Sequence, residues 1–161
     1  MIQEPVVIVA NGDFPSHKVP LLILQDANTI ICCDGAVEKS FAYGIEPDVV
    51  IGDMDSIDSN LKSKLSDKIV QINNQDTNDL DKALNWLRDK DVESLTIIGA
   101  DGLRDDHAMG NILLLIENSY NYKIKMITEF GRFDVMNTGM LDDDDNKYSQ
   151  SFHSFKRQAV S

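Results

Sequence analysis

The sequence predicts an α/β protein, an open and mostly parallel sheet with helices on both faces, three layers in all. Three observations carry that expectation. Short β-branched runs alternate with helical periods along most of the chain. Each strand candidate is a nearly continuous apolar run, as in a sheet buried on both faces. Most of these runs stop at Asp or Asn beside Gly, residues that turn a chain sharply.

The elements follow in order. Pro5 to Ala10 (PVVIVA) reads as a buried strand, ended by Asn11-Gly12-Asp13. Residues 18–26 suit a helix if Pro20 falls in its first turn, where a missing N–H is tolerated. Thr29 to Cys33 is a second strand, ended by Asp34-Gly35. Ala36 to Tyr43 is a short helix with Gly44 as its stop. Val49 to Ile51 is a third strand, ended by Gly52-Asp53. Leu61 to Leu65 is helical, and Lys68 to Ile72 is a fourth strand.

Leu80, Ala83, Leu84 and Leu87 then recur on one face of a 3.6-residue period, with Asp76 or Thr77 as the expected cap. Ser94 to Gly99 is a fifth strand, His107 to Asn118 a helix and Lys123 to Thr128 a sixth strand. Loops after parallel strands gather along one sheet edge, where open α/β folds of the Rossmann-like kind bind ligands.

A chain of 161 residues fits one domain, or one domain with an appendage, and needs no metal or disulfide merely to fold. The net charge of −12 argues against a nucleic-acid grip. Cys32 and Cys33 are adjacent within an apolar run, the pattern of two buried thiols in a reducing cytoplasm. Val6 to Ala10 and Ile112 to Ile116, among the longest apolar stretches, fall far short of a membrane span. The pattern changes near Asn137. Residues 1–137 are expected to form the α/β domain, and residues 138–161 an acidic loop and the start of a C-terminal β segment. The run Asp142 to Asp145 lacks the ligand spacing of a calcium loop and reads as a solvated turn.

The chemistry concentrates in acidic loops. In Val-Ile-Gly-Asp53-Met54-Asp55-Ser56 the two aspartates share a face if extended geometry persists through Met54. Two carboxylates about 5 Å apart repel by roughly 3 kcal/mol at an effective dielectric of ~20, which a cation relieves. The alternative is a turn in which Asp53 makes an Asx-turn and Asp55 faces water. The DxD recurs among company: Asn74-Gln-Asp-Thr-Asn-Asp79 and Asp101-Gly-Leu-Arg-Asp-Asp-His107 follow the next two strands. A cluster of Asp53, Asp55 and Asp79, all oxygen ligands, points to Mg²⁺ rather than Zn²⁺. Arg104 can fork onto a phosphate, and the glycine turns and helix N-termini suit phosphate oxygens. These residues point to metal-assisted chemistry on a phosphate ester or anhydride, without the P-loop sequence.

The segments Cys33-Asp-Gly-Ala36, Pro47 to Ser56, Gln75-Asp-Thr-Asn-Asp79 and Gly99 to His107 resemble, in order and spacing, the thiamine pyrophosphokinases. The resemblance covers roughly residues 5–130. It implies transfer of the diphosphate of ATP to the hydroxyl of thiamine, giving thiamine diphosphate and AMP. It implies Mg²⁺ held by Asp53, Asp55 and Asp79. Gln75, Arg104 and Asp106 match positions around the nucleotide and reaction centre, and Asn11, Gly12, Asp34 and Gly35 match loops near nucleotide or substrate. Ser56, Asp76, Thr77 and His107 lie in the same motifs and join the expected nucleotide-binding set. Asp106, ahead of Asp76, is the expected acceptor of the hydroxyl proton. A homodimer in the cytoplasm is likewise implied.

Two departures stand out. Leu103 replaces a second glycine before the arginine. The resemblance also implies a second, all-β domain that helps hold thiamine; Phe155 to Ser161 resembles its entry strand, and the expectation is either a fragment or a family member reduced to its nucleotide-binding half. Two rival expectations follow: a Mg-dependent phosphatase using Asp53 as nucleophile, and a nucleotide-binding fragment without turnover.

Overall fold

The computed structural model describes residues 1–102, 105–118 and 120–135. Seven strands form one sheet: β1 (Val6–Val9), β2 (Thr29–Cys33), β3 (Val49–Gly52), β4 (Ile69–Gln71), β5 (Ser94–Ile98), β6 (Lys123–Ile127) and β7 (Arg132–Val135). Their spatial order is β4-β3-β2-β1-β5-β6-β7. All neighbours are parallel except β6 and β7. The chain therefore builds outward from β1 through β4, crosses back beside β1 with β5, and continues the other way. β1/β5 is the topological switch point.

Five α-helices cover the sheet: α1 (Lys18–Gln25), α2 (Val37–Ala42), α3 (Ser59–Lys64), α4 (Asp79–Leu87) and α5 (Asp105–Glu117). Strand alternation decides which layer each side chain joins. Val6, Ile8, Ile31, Cys33 and Ile97 pack with Leu80, Ala83, Leu84 and Leu87 of α4 and Leu115 of α5. Val7, Val9, Cys32 and Val50 face the other way, onto Leu24 of α1, Val37 of α2 and Leu65 just past α3. The reversal at β1/β5 thus places α1–α3 on one face and α4–α5 on the other. Both cysteines are free and buried. Burial pushes the Cys32 thiol up to about 12 and Cys33 well above its ordinary value.

The helix ends obey local chemistry. Pro20 lies in the first turn of α1, which His17 caps by accepting the Val19 N–H. At the end of α2, Gly44 takes φ +75°, its N–H donates to the Phe41 carbonyl, and Ile45 N–H reaches back to Ser40. That pair of bonds is the Schellman stop that a glycine supplies cheaply.

Three expectations need correction. The cap of α4 is Asn78, not Asp76 or Thr77: its Oδ1 accepts the Asp81 N–H at 2.8 Å. Strand β7 was not expected; it pairs antiparallel with β6 after the turn at Thr128 to Gly131. Extended geometry ends at Gly52, because Met54 turns left-handed (φ +69°) and is 2% exposed. Residues 138–161, with the expected acidic loop and β segment, lie outside the described residues.

Candidate active site

A cleft of about 430 Å³ opens at the carboxyl ends of the strands, across the β1/β5 switch point. The loop after β1, with Ala10, Asn11 and Gly12, and the loop after β5, with Ala100 and Asp101, line it side by side. Cys33 at the end of β2, Asp53 after β3 and the first turns of α4 and α5 complete the lining.

The two switch-point loops are locked together. Ala10 N–H donates to Ile98 O at 2.9 Å, Gly12 N–H to Gly99 O at 2.6 Å, and Asp13 N–H to Asp101 O at 2.8 Å. Lys39 of α2 adds a bond from Nζ to Gly12 O at 2.7 Å. Gly12 has no room for a side chain, since a Cβ would drive into the carbonyls of Gly99 and Asp101. Gly35 is equally tight against the Asn11 side chain. Gly35 thus acts as a seat for Asn11.

The acidic wall is built by β2, β3 and α4. Asp34, 2% exposed, accepts the Met54 N–H at 3.0 Å. It approaches so closely because residue 52 is glycine; a Cβ there would strike the Asp34 carboxyl. Asp34 also hydrogen-bonds the side chains of Asp79 and Asp53. Burial, reinforced by these two acids, raises Asp34 to about 7. Asp53 accepts the Asp55 N–H at 3.1 Å, and this bond above all holds its carboxyl below the usual range.

Lys82 projects into the same cluster. Its Nζ donates to Asp79 Oδ1 at 2.8 Å and stands 4.0 Å from Asp53 Oδ2. Burial pulls its pKa down, but the bond to Asp79 and the surrounding negative charge win, and the ammonium is held above its ordinary value. The apolar seam of α4 fixes this geometry: Leu80, Ala83 and Leu84 lock the helix on the sheet, and the i,i+3 spacing brings Lys82 beside Asp79.

Asn78 links the rest. Besides capping α4, its Nδ2 donates to Asn111 Oδ1 at 3.2 Å, and Asn111 Nδ2 donates to Ala100 O at 2.9 Å. The starts of α4 and α5 are thereby tied to the loop after β5. The N-terminal ends of both helices face the cleft, a favourable setting for phosphate oxygens.

Of the residues singled out in the sequence, the cleft brings together Asn11, Gly12, Asp53, Gln75, Thr77 and Asp79. Asp106 and His107 line it from α5. Asp34 and Gly35 stand directly behind its wall, against Gly52 and Asn11. Asp55, Ser56 and Asp76 are exposed and are not in the lining. The Met54 turn explains Asp55: the Asx-turn replaces the shared extended face. Arg104 lies outside the described residues. Lys82, Asn78 and Asn111 were not singled out, and Cys33 was read as a buried thiol and motif residue without a role in the site. Two carried a signal, Lys82 as a cation one turn after Asp79 and Asn78 as a cap residue three before Asp81.

The donor set suits a hard cation of modest demands. Among the described residues, no group of three or more His, Cys, Asp or Glu stands ready to cage a metal. Asp53 and Asp79 on one wall match the way Mg²⁺ is held, by one or two carboxylates with waters and substrate phosphates filling the rest.

The family model of the thiamin pyrophosphokinase catalytic domain matches residues 21–128. The thiamine pyrophosphokinase of Bacillus subtilis (strain 168) is 32% identical over 161 residues, spanning 94% of this chain and 74% of that protein. Thiamine pyrophosphokinase 1 of Oryza sativa subsp. japonica is 30% identical, spanning 76% of this chain and 55% of the relative. The crystal structure of the Bacillus subtilis enzyme superposes with a TM-score of 0.61 at 29% identity, over 76% of this chain and 60% of that one. Yeast thiamin pyrophosphokinase gives a TM-score of 0.64 at 16% identity over 76% of this chain and 58% of its own, a likeness of fold. The chain thus spans a little over half of the rice relative and of the yeast structure.

Proposed function

The chain belongs to the thiamin pyrophosphokinase family, and on that premise we propose that it transfers the diphosphate of ATP to the hydroxyl of thiamine, releasing AMP. The observation that carries this reading is the switch-point cleft, with interlocked glycine loops on one side and Asp53 and Asp79 on another. Asp53 and Asp79 would hold Mg²⁺ with waters and phosphate oxygens; Asp55, exposed beside its turn, is not needed for that count. When bound, the metal neutralises charge on the phosphates.

This chain's own residues do the rest. Gly12 and its carbonyl partners shape a rigid floor, so the nucleotide is oriented without a loop-ordering cost. The first turns of α4 and α5 direct N–H dipoles at the phosphates. Asp106, on the first turn of α5, accepts the proton of the attacking hydroxyl, and Arg104 forks onto a phosphate oxygen. Gln75, Thr77 and His107 complete the polar lining around the nucleotide. The hydroxyl oxygen attacks the β-phosphorus; the bond from that phosphorus to the α–β bridging oxygen breaks, and AMP leaves with that oxygen.

The same proposal includes residues 1–137 as the catalytic domain, a homodimer and a cytoplasmic setting. No described helix is long and apolar enough to cross a membrane. The test is AMP release from Mg–ATP with and without thiamine. Thiamine-dependent AMP that falls by about 10²-fold or more in Asp79→Asn supports the reading, the scale expected for losing one electrostatic group of a reaction centre. AMP formation indifferent to thiamine overturns it.

A further inference from the structure

Lys82 has no part in the reaction described above, yet it is one of the most deeply buried charges in the described chain, 5% exposed as a residue. Its side chain is 4% exposed, between Asp79 at 2.8 Å and Asp53 at 4.0 Å. Asp34, 2% exposed and hydrogen-bonded to both acids, closes the group. Leu80, Ala83 and Leu84 are all buried around it on α4. Burying a long flexible ammonium costs solvation and rotamer freedom, which facing carboxylates offset only if they are held in place. Three converging carboxyls are in turn unstable without positive charge among them.

We propose that Lys82 is the resident counter-cation of the Asp34–Asp53–Asp79 cluster: it keeps the carboxylates assembled before metal arrives and keeps their affinity for free Mg²⁺ low, so that the metal enters with the nucleotide. The inference rests on the metal–nucleotide reading of the cleft. A free divalent ion approaching Asp53 and Asp79 meets an ammonium already bonded to Asp79. An ion carried by a polyphosphate brings its own negative charge, which both Lys82 and the ion welcome. Lys82 is therefore a positioning residue that selects the form in which the metal loads.

The test compares metal-stripped wild type, Lys82→Met and Lys82→Arg, titrated with Mg²⁺ in the absence of nucleotide by calorimetry and by unfolding midpoint. Lys82→Met is expected to bind Mg²⁺ at least about tenfold more tightly than wild type, since Lys82 Nζ lies 2.8 Å from Asp79 and 4.0 Å from Asp53, the carboxylates the ion must reach, and losing its charge removes strong repulsion. Its metal-free midpoint falls and Mg²⁺ restores it, whereas Lys82→Arg follows wild type. Lys82→Gln, which keeps a donor to Asp79 without charge, serves if the methionine variant does not fold. Equal Mg²⁺ affinity in the neutral variants and wild type, or an arginine variant that behaves like them, overturns the inference. Thiamine-dependent AMP release by wild type reports separately on the cleft. Its absence beside a tenfold gain removes only the proposed reaction; its presence beside unchanged affinity removes only the role of Lys82.

Discussion

Replacing Gly12 by alanine tests whether the switch-point loops act as one rigid floor. The added methyl would occupy space filled by the backbone carbonyls of Gly99 and Asp101. Backbone cannot swing aside as a side-chain tip can, so the loop after β5 must move away. The move strains the bonds from Gly12 N–H to Gly99 O and from Asp13 N–H to Asp101 O. Each is worth about 1 kcal/mol net, and overpacking adds about 1–3 kcal/mol. A loss of about 3 kcal/mol is therefore expected, a large share of the roughly 5–15 kcal/mol that stabilises a domain. Gly44→Ala is the control, since nothing lies within 4 Å of its Cβ position and only its left-handed φ of +75° is strained. That change costs about 1–2 kcal/mol and leaves the cleft untouched. Urea unfolding gives the stabilities, and calorimetry with Mg–ATP gives the affinities. The reasoning is refuted if Gly12→Ala loses no more stability than Gly44→Ala, or binds Mg–ATP as wild type does.

Two further outcomes follow from single contacts. Asn78→Ala removes the cap of α4 and the link to Asn111; chemical unfolding should show a loss of about 1–2 kcal/mol, while Thr77→Ala, which caps nothing in α4, stays near wild type. Glu4 accepts N–H bonds from Ser94 and Glu93, and Glu129 from Ser16 and His17, so both carboxyls sit below their ordinary 4.5. Their folded pKa values are depressed, so the stability they contribute is present above about pH 4.5 and is lost as pH falls through the folded values. Unfolding midpoints should drop on that acid limb, and the double variant Glu4→Gln, Glu129→Gln should drop less steeply.

Much of this architecture is written locally. Runs such as Val6 to Val9 and Ser94 to Ile98 declare buried strands because both faces of the sheet are covered. Gly44 and Pro20 mark helix ends through backbone chemistry alone. Strand β7 was harder: at a sheet edge Arg132 and Asp134 are exposed and only Phe133 and Val135 are half-buried, so its four residues show no apolar run. The order β4-β3-β2-β1-β5 has no local signature, since the return from β4 to β5 passes three strands.

The site divides in the same way. The Asp and Gly loops after β1, β2, β3 and β5 were legible because turns at strand ends need those residue types. The fate of Asp55 was not, because it hangs on one torsion at Met54, set by burial beneath the strand end and by the bond to Asp34. Asp76, Thr77 and Asn78 are all competent caps by type. Asn78 is the one whose Oδ1 meets the Asp81 N–H, and Asn111 of a distant helix holds the other end of its amide. Lys82 reads as an ordinary helix residue until β2 and β3 bring Asp34 and Asp53 around it.

The central claim, that this cleft moves a diphosphate, is tested most directly by ³¹P NMR of the protein with Mg–ATP and thiamine. The account predicts AMP and thiamine diphosphate rising in equal amounts. ADP with thiamine monophosphate, or ATP hydrolysed to orthophosphate with thiamine unchanged, would contradict it.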